Sequence, residues 1–459
     1  MSNSSPPAPP AGVHPVDEIL PFGPLLAVGL QHVLVMYAGA IAVPLIVGGT
    51  LHMPKDQIAF LVNADLFTSG IATLIQCLGS WKFGIRLPVI MGVTFAAVGP
   101  MVAMAASGLG ITGIFGAVIA AGLFTIVVAP WFGKLVRFFP PVVTGTIIAV
   151  IGITLLRVGV GWAGGGGGAK DFGAPQHLAI VAIVLAAILL VHRWVRGFLA
   201  NIAVLIGMAV GYIAAIPAGM VKFDGIAGAD WFAIVYPFAF GPPTFDAGAI
   251  VSLCIVMVVV MVESTGMFLA VADLCDRKIG SADLGRGLAT DGLGTVIGGI
   301  FNTFPHTSFS QNVGLVGITG VRSRFVVAVS GGILILFGLA PKMGAVVATI
   351  PNAVLGGAGL CMFGMVAATG IRILSRVDYE RRHNLLIIAV SLAVGMVPLV
   401  APNFFDLLLK SAPWLGTIVH SGITLSAVAA VLLNALFNGS GAGEDVQSGR
   451  AKAPGDAKT

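Results

Sequence analysis

Long apolar stretches alternate with short polar ones along almost the whole chain. Many of the apolar runs reach about 18 residues, which is longer than a helix in a soluble core needs and long enough to cross a bilayer. Pro and Gly often stand where one run ends and the next begins. The pattern therefore predicts an all-α polytopic membrane protein.

Fourteen apolar segments can be laid out along the chain. They run near 20–49, 57–79, 88–106, 111–132, 139–161, 177–194, 198–216, 247–273, 288–302, 309–320, 325–341, 353–371, 384–401 and 415–437. Seven segments precede residue 245 and seven follow it. Because seven is odd, the membrane domain over 18–437 is predicted to consist of two inverted repeats, about 18–244 and 245–437. The polar ends, 1–17 and 438–459, are predicted to be disordered tails.

The third segment of each predicted repeat is short and interrupted by Pro or Gly. In the first repeat it reads RLPVIMGVTFAAVGP (86–100), and in the second, where it is the tenth segment of the chain, TFPHTSFSQNVGLVGITG (303–320). Paired discontinuous segments at matching positions point to a substrate site at the bilayer midplane of an inverted-repeat transporter. The alternative is that Pro and Gly are simply frequent in membrane helices.

Lys and Arg fall mainly in one set of alternate connections. If the N-terminus is cytoplasmic, the cytoplasmic connections hold Lys82, Arg86, Lys134, Arg137, Arg193, Arg196, Arg277, Lys278, Arg286, Arg322, Arg324, Arg372, Arg376, Arg381 and Arg382. The opposite connections hold only Lys55, Arg157, Lys170, Lys222, Lys342 and Lys410. Basic residues concentrate on the cytoplasmic side of membrane proteins, so both termini are predicted to be cytoplasmic.

Composition agrees with the membrane class. Of the 459 residues, 57% are hydrophobic and only 9% are charged, whereas soluble domains carry about 25% charged residues. The net charge of +5 would suggest a nucleic-acid partner in a soluble protein, but none is expected in a chain whose main surroundings are lipid. No cleavable signal peptide is recognised in residues 1–17. The four Cys residues have neither metal-ligand nor redox spacing, so no metal site is predicted.

Two carboxylates lie inside apolar segments, where a charge costs several kcal/mol and needs a reason. Glu263 follows a long apolar run in LCIVMVVVMVESTGMFLAVA, with no Lys or Arg within two helical turns. It is a candidate to accept hydrogen bonds from a ligand or to carry a transported proton; the alternative is a protonated carboxyl bonded to a neighbouring helix. Asp291, in LATDGLGTVIGGIFN, is the second candidate, and a structural brace is its alternative.

The broken segments carry further candidates. Gln311 and Asn312 open the half-helix QNVGLVGITG, where amide side chains and free N–H groups could read the polar edge of a planar ligand. Asn312 could instead cap the half-helix. Phe95, beside Thr94 in the other broken segment, could stack on a flat ring or serve only in packing.

Four more ionisable residues lie within or at the ends of apolar segments. His32, beside Gln31, is a candidate either to link helices or to contact ligand. Asp65, in NADLFTSG, is expected to make a helix–helix hydrogen bond. Asp273 and His306 stand near segment ends, where contact with water is the simpler expectation.

Taken together, these residues resemble the nucleobase–ascorbate transporter family. The family signature, Gln/Glu/Pro-Asn-x-Gly-x-x-x-x-Thr followed by Arg, Lys or Gly, is matched in full by residues 311–320, QNVGLVGITG. Upstream stand the Gln31–His32 pair, Glu263 in VEST and Asp291 in ATDG. Four motifs in the right order are far more specific than any one of them.

The resemblance implies fourteen spans in two inverted repeats, a core and a gate domain, and a homodimer in the inner membrane. It also implies symport of a nucleobase with a proton or a sodium ion, the proton being the usual partner in bacterial members. Glu263 and Gln311 would hold the polar edge of a purine, with Asn312 beside them and Phe95 against the ring. Asp291 and His32, with Gln31, would shape the site or the coupling.

The residue before Phe95 bears on which purine is carried. Xanthine-selective members often have Asn at this position, whereas Thr94 stands here, as in uric acid carriers. Uric acid is therefore the first expectation and xanthine the second. Where some relatives have a titratable residue one turn after the glutamate, this chain has Met267, so a carried proton is expected at Glu263 or Asp291.

Four alternatives stay open on the sequence. Within transport, the chain could be a xanthine-selective or other nucleobase symporter, or an anion exchanger of the same architecture. A channel is a third possibility, separated by whether uptake saturates. A membrane-embedded enzyme would need a nucleophile–base pair or a metal cluster at depth, and His32 with four scattered Cys residues supplies neither. The chain is accordingly expected not to be an enzyme.

Overall fold

The computed structural model describes residues 13–166, 169–223 and 225–439, and the chain there is mostly helical. In the first half the elements are α1 (Phe22–Thr50), α2 (Lys55–Leu78), β1 (Met91–Val93), α3 (Val98–Ala106), α4 (Ile111–Val128), α5 (Phe132–Leu135), α6 (Pro141–Ala163), α7 (Pro175–Trp194), α8 (Phe198–Asn201) and α9 (Ala203–Ala215). Short 3-10 helices cover Pro15–Asp17, Phe95–Ala97, Ala129–Trp131 and Val136–Phe138.

The second half is also mostly helical. Its elements are α10 (Ala247–Leu274), α11 (Ser281–Ile300), β2 (His306–Ser308), α12 (Ser310–Thr319), α13 (Arg324–Gly338), α14 (Pro341–Ala348), α15 (Asn352–Leu374), α16 (Arg382–Val400), α17 (Asp406–Ser411), α18 (Gly416–Val419) and α19 (Gly422–Asn438), with a 3-10 helix at Pro413–Leu415. Asp246 caps α10, since its carboxylate accepts a 2.8 Å hydrogen bond from the Ala249 N–H.

Within the described residues, eight helices are long and apolar enough to cross a membrane. The bent pair α13–α14, with a 76° angle at the break, raises the number to nine if it counts as one span. Three shorter stretches, Phe95–Ala106, α9 and α19, are also apolar. The structure confirms a mostly helical polytopic membrane protein, and it adds to the predicted all-α class two short strands, β1 and β2.

Both segments predicted to be broken consist of a short strand followed by a helix. The strands β1 and β2 form an antiparallel pair with Met91 opposite Ser308 and Val93 opposite His306. Two flanking hydrogen bonds extend this ribbon, from the Thr94 N–H to the Pro305 carbonyl and from the Phe309 N–H to the Ile90 carbonyl. The ribbon satisfies backbone groups that would otherwise be unpaired inside an apolar body, which is what non-helical backbone at membrane depth requires.

Glycines set the closest helix contacts on either side of the ribbon. A Cβ added at Gly331 of α13 would lie 2.8 Å from the carbonyl oxygen of Gly70 on α2. A Cβ at Gly122 of α4 would likewise lie 2.8 Å from the carbonyl oxygen of Gly292 on α11. Small residues let helix backbones approach this closely in membranes. The pairs α2–α13 and α4–α11 therefore flank α1, α10 and the ribbon as one packed body.

A second body is built on the antiparallel pair α6–α15. Gly152 of α6 lies against Ala367 of α15, and Gly370 of α15 lies against Ala149 of α6. The helices α7 and α9 pack beside α15, and α16 and α19 pack beside α6. A small cavity lies between this body and the ribbon.

Most predicted segments differ from the helices by a few residues at their ends, and two of the differences have a clear physical reason. The segment predicted at 288–302 belongs to α11, which begins at Ser281 because Asp283 caps its first turn through the Gly280 N–H. The tail predicted over 1–17 is ordered at its end, since Val16 is buried and Asp17 pairs with two arginines. The rest of that tail, 1–12, and residues 440–459 of the other lie outside the described residues.

Candidate functional site

A small cavity of about 60 Å³ lies where the ribbon meets the second body. Its walls come from the ends of both strands, the 3-10 helix at Phe95–Ala97, the start of α12, one position on α10 and the facing sides of α6 and α15. The lining residues are Val93, Thr94, Phe95, Ala96, Ile148, Ile151, Glu263, Thr307, Ser308, Phe309, Ser310, Gln311 and Val366. Among these residues Glu263 is the one charged side chain.

Glu263 reaches the cavity from the middle of α10. It is half-buried, and it forms no hydrogen bond or ion pair with another described residue. A carboxylate that lines a cavity without a cation among the other lining residues offers its oxygens to whatever enters the cavity. Glu263 is thus placed to accept hydrogen bonds from the N–H groups of a ligand.

Gln311 approaches the same cavity from the first turn of α12. Its side chain is exposed, and its Oε1 accepts a 3.4 Å hydrogen bond from the Ser310 hydroxyl. No side chain caps α12, whose N-cap is Phe309. The first N–H groups of α12 are therefore uncapped by side chains, and they lie at the end of the helix that meets the cavity. The helix dipole at this end favours electron-rich groups such as carbonyl oxygens.

Thr94 and Phe95 form the opposite wall. The Thr94 hydroxyl accepts a 3.1 Å hydrogen bond from the Ala96 N–H, which caps the 3-10 helix at Phe95–Ala97. The Phe95 ring packs edge-to-face on Phe363 of α15, with the ring centroids 5.8 Å apart. Phe95 therefore lines the cavity and also forms an aromatic contact between the two bodies.

Asn312 does not line the cavity, which differs from the ligand-binding role that the family resemblance implies. It is buried, and its side-chain amide donates to His32 at Nδ1 (3.1 Å) and at the backbone carbonyl (2.8 Å). It does not cap α12 either. The pair fastens α12 to α1, so His32 links helices; Gln31 also lies outside the cavity lining.

Asp291 is fully buried on α11 and does not line the cavity. Its carboxyl group interacts with the Ser264 hydroxyl on α10 and has no ion-pair partner among the described residues. Thr307, which does line the cavity, forms a 3.2 Å hydrogen bond with Ser264 on α10, the neighbour of Glu263. Asp291 therefore stands behind the cavity wall.

Sequence reasoning missed several lining positions. Thr307 and Ser308 end β2 and Ser310 begins α12, and three small hydroxyl residues in the four-residue run TSFS could have signalled a polar wall. Ile148 and Val366 come from long apolar helices and carry no local signal. They reach the site only because α6 and α15 pack against the ribbon.

A much larger cavity of about 1420 Å³ lies toward the far ends of α1, α3 and α6. Val98 and Leu155 line it, and these residues stand within a turn or two of Ala96 and Ile151 in the small cavity. Basic side chains at its rim include Lys55, Arg157 and Lys222. It forms a broad vestibule next to the small cavity.

Comparison with known proteins identifies the chain. The model of a permease family, Xan_ur_permease, matches residues 23–404. The chain belongs to this family. It is the nucleobase–ascorbate transporter family that the motifs indicated, and its members are permeases, not enzymes.

Three curated relatives cover about nine-tenths of the chain. The uric acid transporter UacT of Escherichia coli is 53% identical over 427 residues, which cover 92% of this chain and 88% of the relative. The xanthine permease of Bacillus subtilis is 45% identical, with 91% and 94% covered. The uric acid permease PucK of Bacillus subtilis is 44% identical, with 90% and 95% covered.

Two solved structures share the fold at low sequence identity. The transmembrane domain of the cyanobacterial bicarbonate transporter BicA has a TM-score of 0.55 at 16% identity, covering 91% of this chain and 99% of that domain. The anion transporter SLC26A9 has a TM-score of 0.59 at 12% identity, with 91% and 66% covered. These values show a common fold and carry no information about substrate.

Proposed function

We propose that this permease imports a purine base, uric acid first and xanthine second, by symport with a proton. The observation that carries the proposal is the convergence of Glu263, Gln311 and Phe95 on one cavity, in a chain whose relatives are named for uric acid and xanthine. Such a cavity offers hydrogen-bond acceptors, donors and an aromatic wall to one flat, polar-edged molecule.

The chemistry of an oxidised purine matches these groups one by one. Its ring N–H groups are donors that the Glu263 carboxylate accepts. Its carbonyl oxygens are acceptors for the Gln311 amide and for the free N–H groups at the start of α12. The plane of the purine packs against the Phe95 ring. The edges of the neighbouring aromatic rings complete this wall of the cavity.

Uric acid is preferred to xanthine because of the residue before Phe95. Thr94 is small, and its hydroxyl already accepts a hydrogen bond from the Ala96 N–H. This corner of the cavity therefore leaves room for the additional 8-oxo group. A carboxamide at this position would occupy that room. The names of the relatives include both substrates and do not choose between them.

The finer architecture also belongs to this proposal. The nine spans counted with the bent pair, the three shorter apolar stretches, α11 and the β2–α12 unit make fourteen segments. The pairing of α2 with α13 is mirrored by that of α11 with α4, and α7–α9 is mirrored by α16–α19. These correspondences support two inverted repeats, in which the ribbon-bearing body is the core and the α6–α15 body is the gate.

Transport then follows from movement of the core against the gate. The small cavity of about 60 Å³ lies well below the range of about 300–1000 Å³ for drug-sized ligands, so loading a purine requires the two bodies to separate. A proton neutralises a buried carboxylate of the core, with Glu263 and Asp291 as the first candidates, and the loaded core moves past α6 and α15. Both termini are cytoplasmic, the membrane is the inner membrane, and the protein is a homodimer.

The second candidate function is anion exchange on the same architecture. It is disfavoured because Glu263 is the one charged residue of the small cavity lining. An acidic wall without a cation repels a small inorganic anion and suits a ligand that donates hydrogen bonds.

The test is uptake of labelled uric acid in bacteria that lack their own purine transporters. Strong uptake that excess xanthine barely inhibits, and that an uncoupler abolishes, is the expected result. If only labelled xanthine accumulates, the preference argued from Thr94 is wrong. If neither purine accumulates, the purine proposal itself is wrong.

A further inference from the structure

A second buried polar cluster lies behind the ribbon, away from the cavity lining. It joins Asp65 on α2 to His306 on β2, and both residues are fully buried. Asp65 Oδ1 lies 3.4 Å from the Ser69 hydroxyl and 3.4 Å from the Thr303 hydroxyl. His306 was expected near water, but its strand pairs with β1 between α2 and α11, which encloses the ring.

The carboxyl group of Asp65 is not satisfied as a structural carboxylate would be. Its Oδ2 has no hydrogen-bond partner among the described residues, and no described Lys or Arg pairs with it. A permanently charged group in such a place would need a cation or a full set of donors. An unpartnered oxygen on a fully buried carboxyl group indicates that a ligand binds there reversibly.

The neighbourhood supplies no other charge to Asp65 or His306. The titratable groups on the elements packed around them are His32 and Tyr37 on α1, Cys254, Glu263 and Asp273 on α10, Asp283, Arg286 and Asp291 on α11, Arg324 on α13 and Lys342 on α14, with Lys55, Asp56 and Cys77 on α2 itself. None of these groups forms a hydrogen bond or ion pair with Asp65 or His306 within the described part of the chain. The two residues therefore act on each other through Ser69.

The hydrogen bonds of His306 fix the direction of the ring. Its Nδ1 lies 2.9 Å from the Phe304 carbonyl oxygen, which can only accept, so Nδ1 carries a hydrogen. The free nitrogen, Nε2, faces the hydroxyls of Thr68 at 3.3 Å and Ser69 at 3.4 Å. Ser69 thus stands between Nε2 and the Asp65 carboxyl, within hydrogen-bond distance of both.

We propose that Asp65, Ser69 and His306 form a proton relay that holds the coupling proton behind the substrate cavity. The proposal rests on proton symport as proposed above, and it assigns the coupling proton to this cluster instead of to Glu263 or Asp291. In the relay, the Asp65 carboxyl gives its proton to Ser69 Oγ while the Ser69 hydroxyl proton passes to His306 Nε2. A neutral carboxyl and neutral imidazole become a carboxylate and an imidazolium, with no change in total charge, and the reverse step restores them.

The backbone connects this relay to the substrate. The His306 N–H donates to the Thr295 hydroxyl at 3.0 Å, and that hydroxyl donates to the Asp291 carbonyl at 2.7 Å. The next residue, Thr307, lines the cavity and bonds to Ser264 beside Glu263. Loss or gain of the proton at His306 therefore acts on the strand that forms one wall of the substrate site.

The relay is tested with purified protein in liposomes that enclose a pH-sensitive dye. Addition of uric acid outside is expected to acidify the lumen with wild-type protein and not with Asp65→Asn. Counterflow, the exchange of labelled for unlabelled uric acid, needs no net proton movement and is expected to persist in that variant. Ser330→Ala, which removes another buried hydroxyl of the same body from its bond to the Gly29 carbonyl, is the matched control and should retain both activities.

Two further variants keep the test decisive if Asp65→Asn does not fold. Ser69→Ala leaves both titratable groups and removes only the bridge, so it should slow substrate-driven acidification and spare counterflow. His306→Asn keeps a donor near the Phe304 carbonyl while removing Nε2, and the same loss is expected. Wild-type acidification in any of these three variants overturns the relay.

The outcomes also separate this proposal from the proposed function. If wild-type protein drives labelled sodium instead of protons, and Asp65→Asn abolishes that flux, the cluster is a sodium site and the proton relay is overturned. If wild-type protein moves uric acid with neither ion, symport itself fails. If the wild-type protein moves protons with uric acid and the three variants do so equally well, symport stands and the relay is overturned.

Discussion

Asn312 on α12 donates two hydrogen bonds to His32 on α1, one to Nδ1 at 3.1 Å and one to the backbone carbonyl at 2.8 Å. The carbonyl can only accept, so the amide nitrogen faces His32 and Nδ1 is an acceptor as well. The pair holds the start of the signature half-helix against the first span. It positions Gln311, one residue before Asn312, without contacting the cavity itself.

This arrangement predicts an order among substitutions of His32. His32→Asn puts an amide oxygen near the place of Nδ1 and should retain more uptake than His32→Gln or His32→Ala. Leaving a buried donor unpaired costs about 1–3 kcal/mol, so the latter two should also lower the melting temperature. Uptake normalised to protein in the membrane checks the order, and equal activity of all three would contradict it.

Glu263→Gln should weaken substrate binding and abolish accumulation. Hydrogen bonds to a charged group contribute about 1.5–3 kcal/mol, so affinity should fall roughly 10- to 100-fold. Asp65→Asn should leave the affinity near that of wild type and affect coupling alone. Substrate binding and counterflow measured side by side separate the two residues, with the exposed Glu380→Gln as control. Full concentrative uptake with unchanged pH dependence in Glu263→Gln would show that its assigned role is wrong.

Thr94→Asn should shift selectivity from uric acid toward xanthine. The larger carboxamide occupies the corner of the cavity that the 8-oxo group needs, and the cavity has little spare volume. Thr94→Ser retains the acceptor for the Ala96 N–H and should keep the wild-type preference. Competition of each purine against labelled uric acid gives the ratio, and the same ratio in both variants would count against the substrate assignment.

Gly331→Ala should destabilise the protein while Gly332→Ala does not. The added methyl at 331 would lie 2.8 Å from the Gly70 carbonyl, whereas nothing lies within 4 Å of one at 332. Overpacking of this kind costs about 1–3 kcal/mol. Alanine at the free position should be neutral or gain up to about 1 kcal/mol in helix propensity. Thermal unfolding in detergent measures both, and equal melting temperatures would contradict the close packing of α2 and α13.

Asp17 should stabilise the protein at neutral pH and lose that effect in acid. Its carboxylate accepts hydrogen bonds from Arg324 at 2.7 Å and Arg277 at 3.0 Å. Burial alone would raise the pKa of Asp17, but these two guanidiniums outweigh it and the pKa is lowered. A lowered pKa in the folded state means that the stabilisation is present above the ordinary value of about 3.9 and disappears as the pH falls through the folded value.

The measurement compares wild type with Asp17→Asn by thermal unfolding across this range. Asp17→Asn should melt at a lower temperature at pH 7, and the difference should shrink below about pH 4. Glu18→Gln is the control, because only the backbone carbonyl of Glu18 takes part in the contact with Ser323. A difference that persists unchanged in acid would contradict the ion-pair account.

The candidate site was predictable where local sequence carried the signal. Glu263 in an apolar run, Gln311 at a helix start and the Thr94–Phe95 pair in a broken segment all line the cavity. Asn312 shared the signature with Gln311, yet successive residues of a helix point about 100° apart, so one faces the ligand and the next faces His32. Which of the two takes which role depends on where α1 lies.

Sequence by itself determined the membrane class, the positions of most helices and the two breaks at the ribbon. These features follow from local rules, since an apolar run needs lipid and an interrupted one needs other backbone partners. Tertiary structure alone decided that Ile148 and Val366 close the site and that Ser69, which bonds to Asp65, also reaches His306, more than two hundred residues away in sequence. Such contacts are set by the packing of distant helices, and the residues next to them in sequence carry no record of that packing.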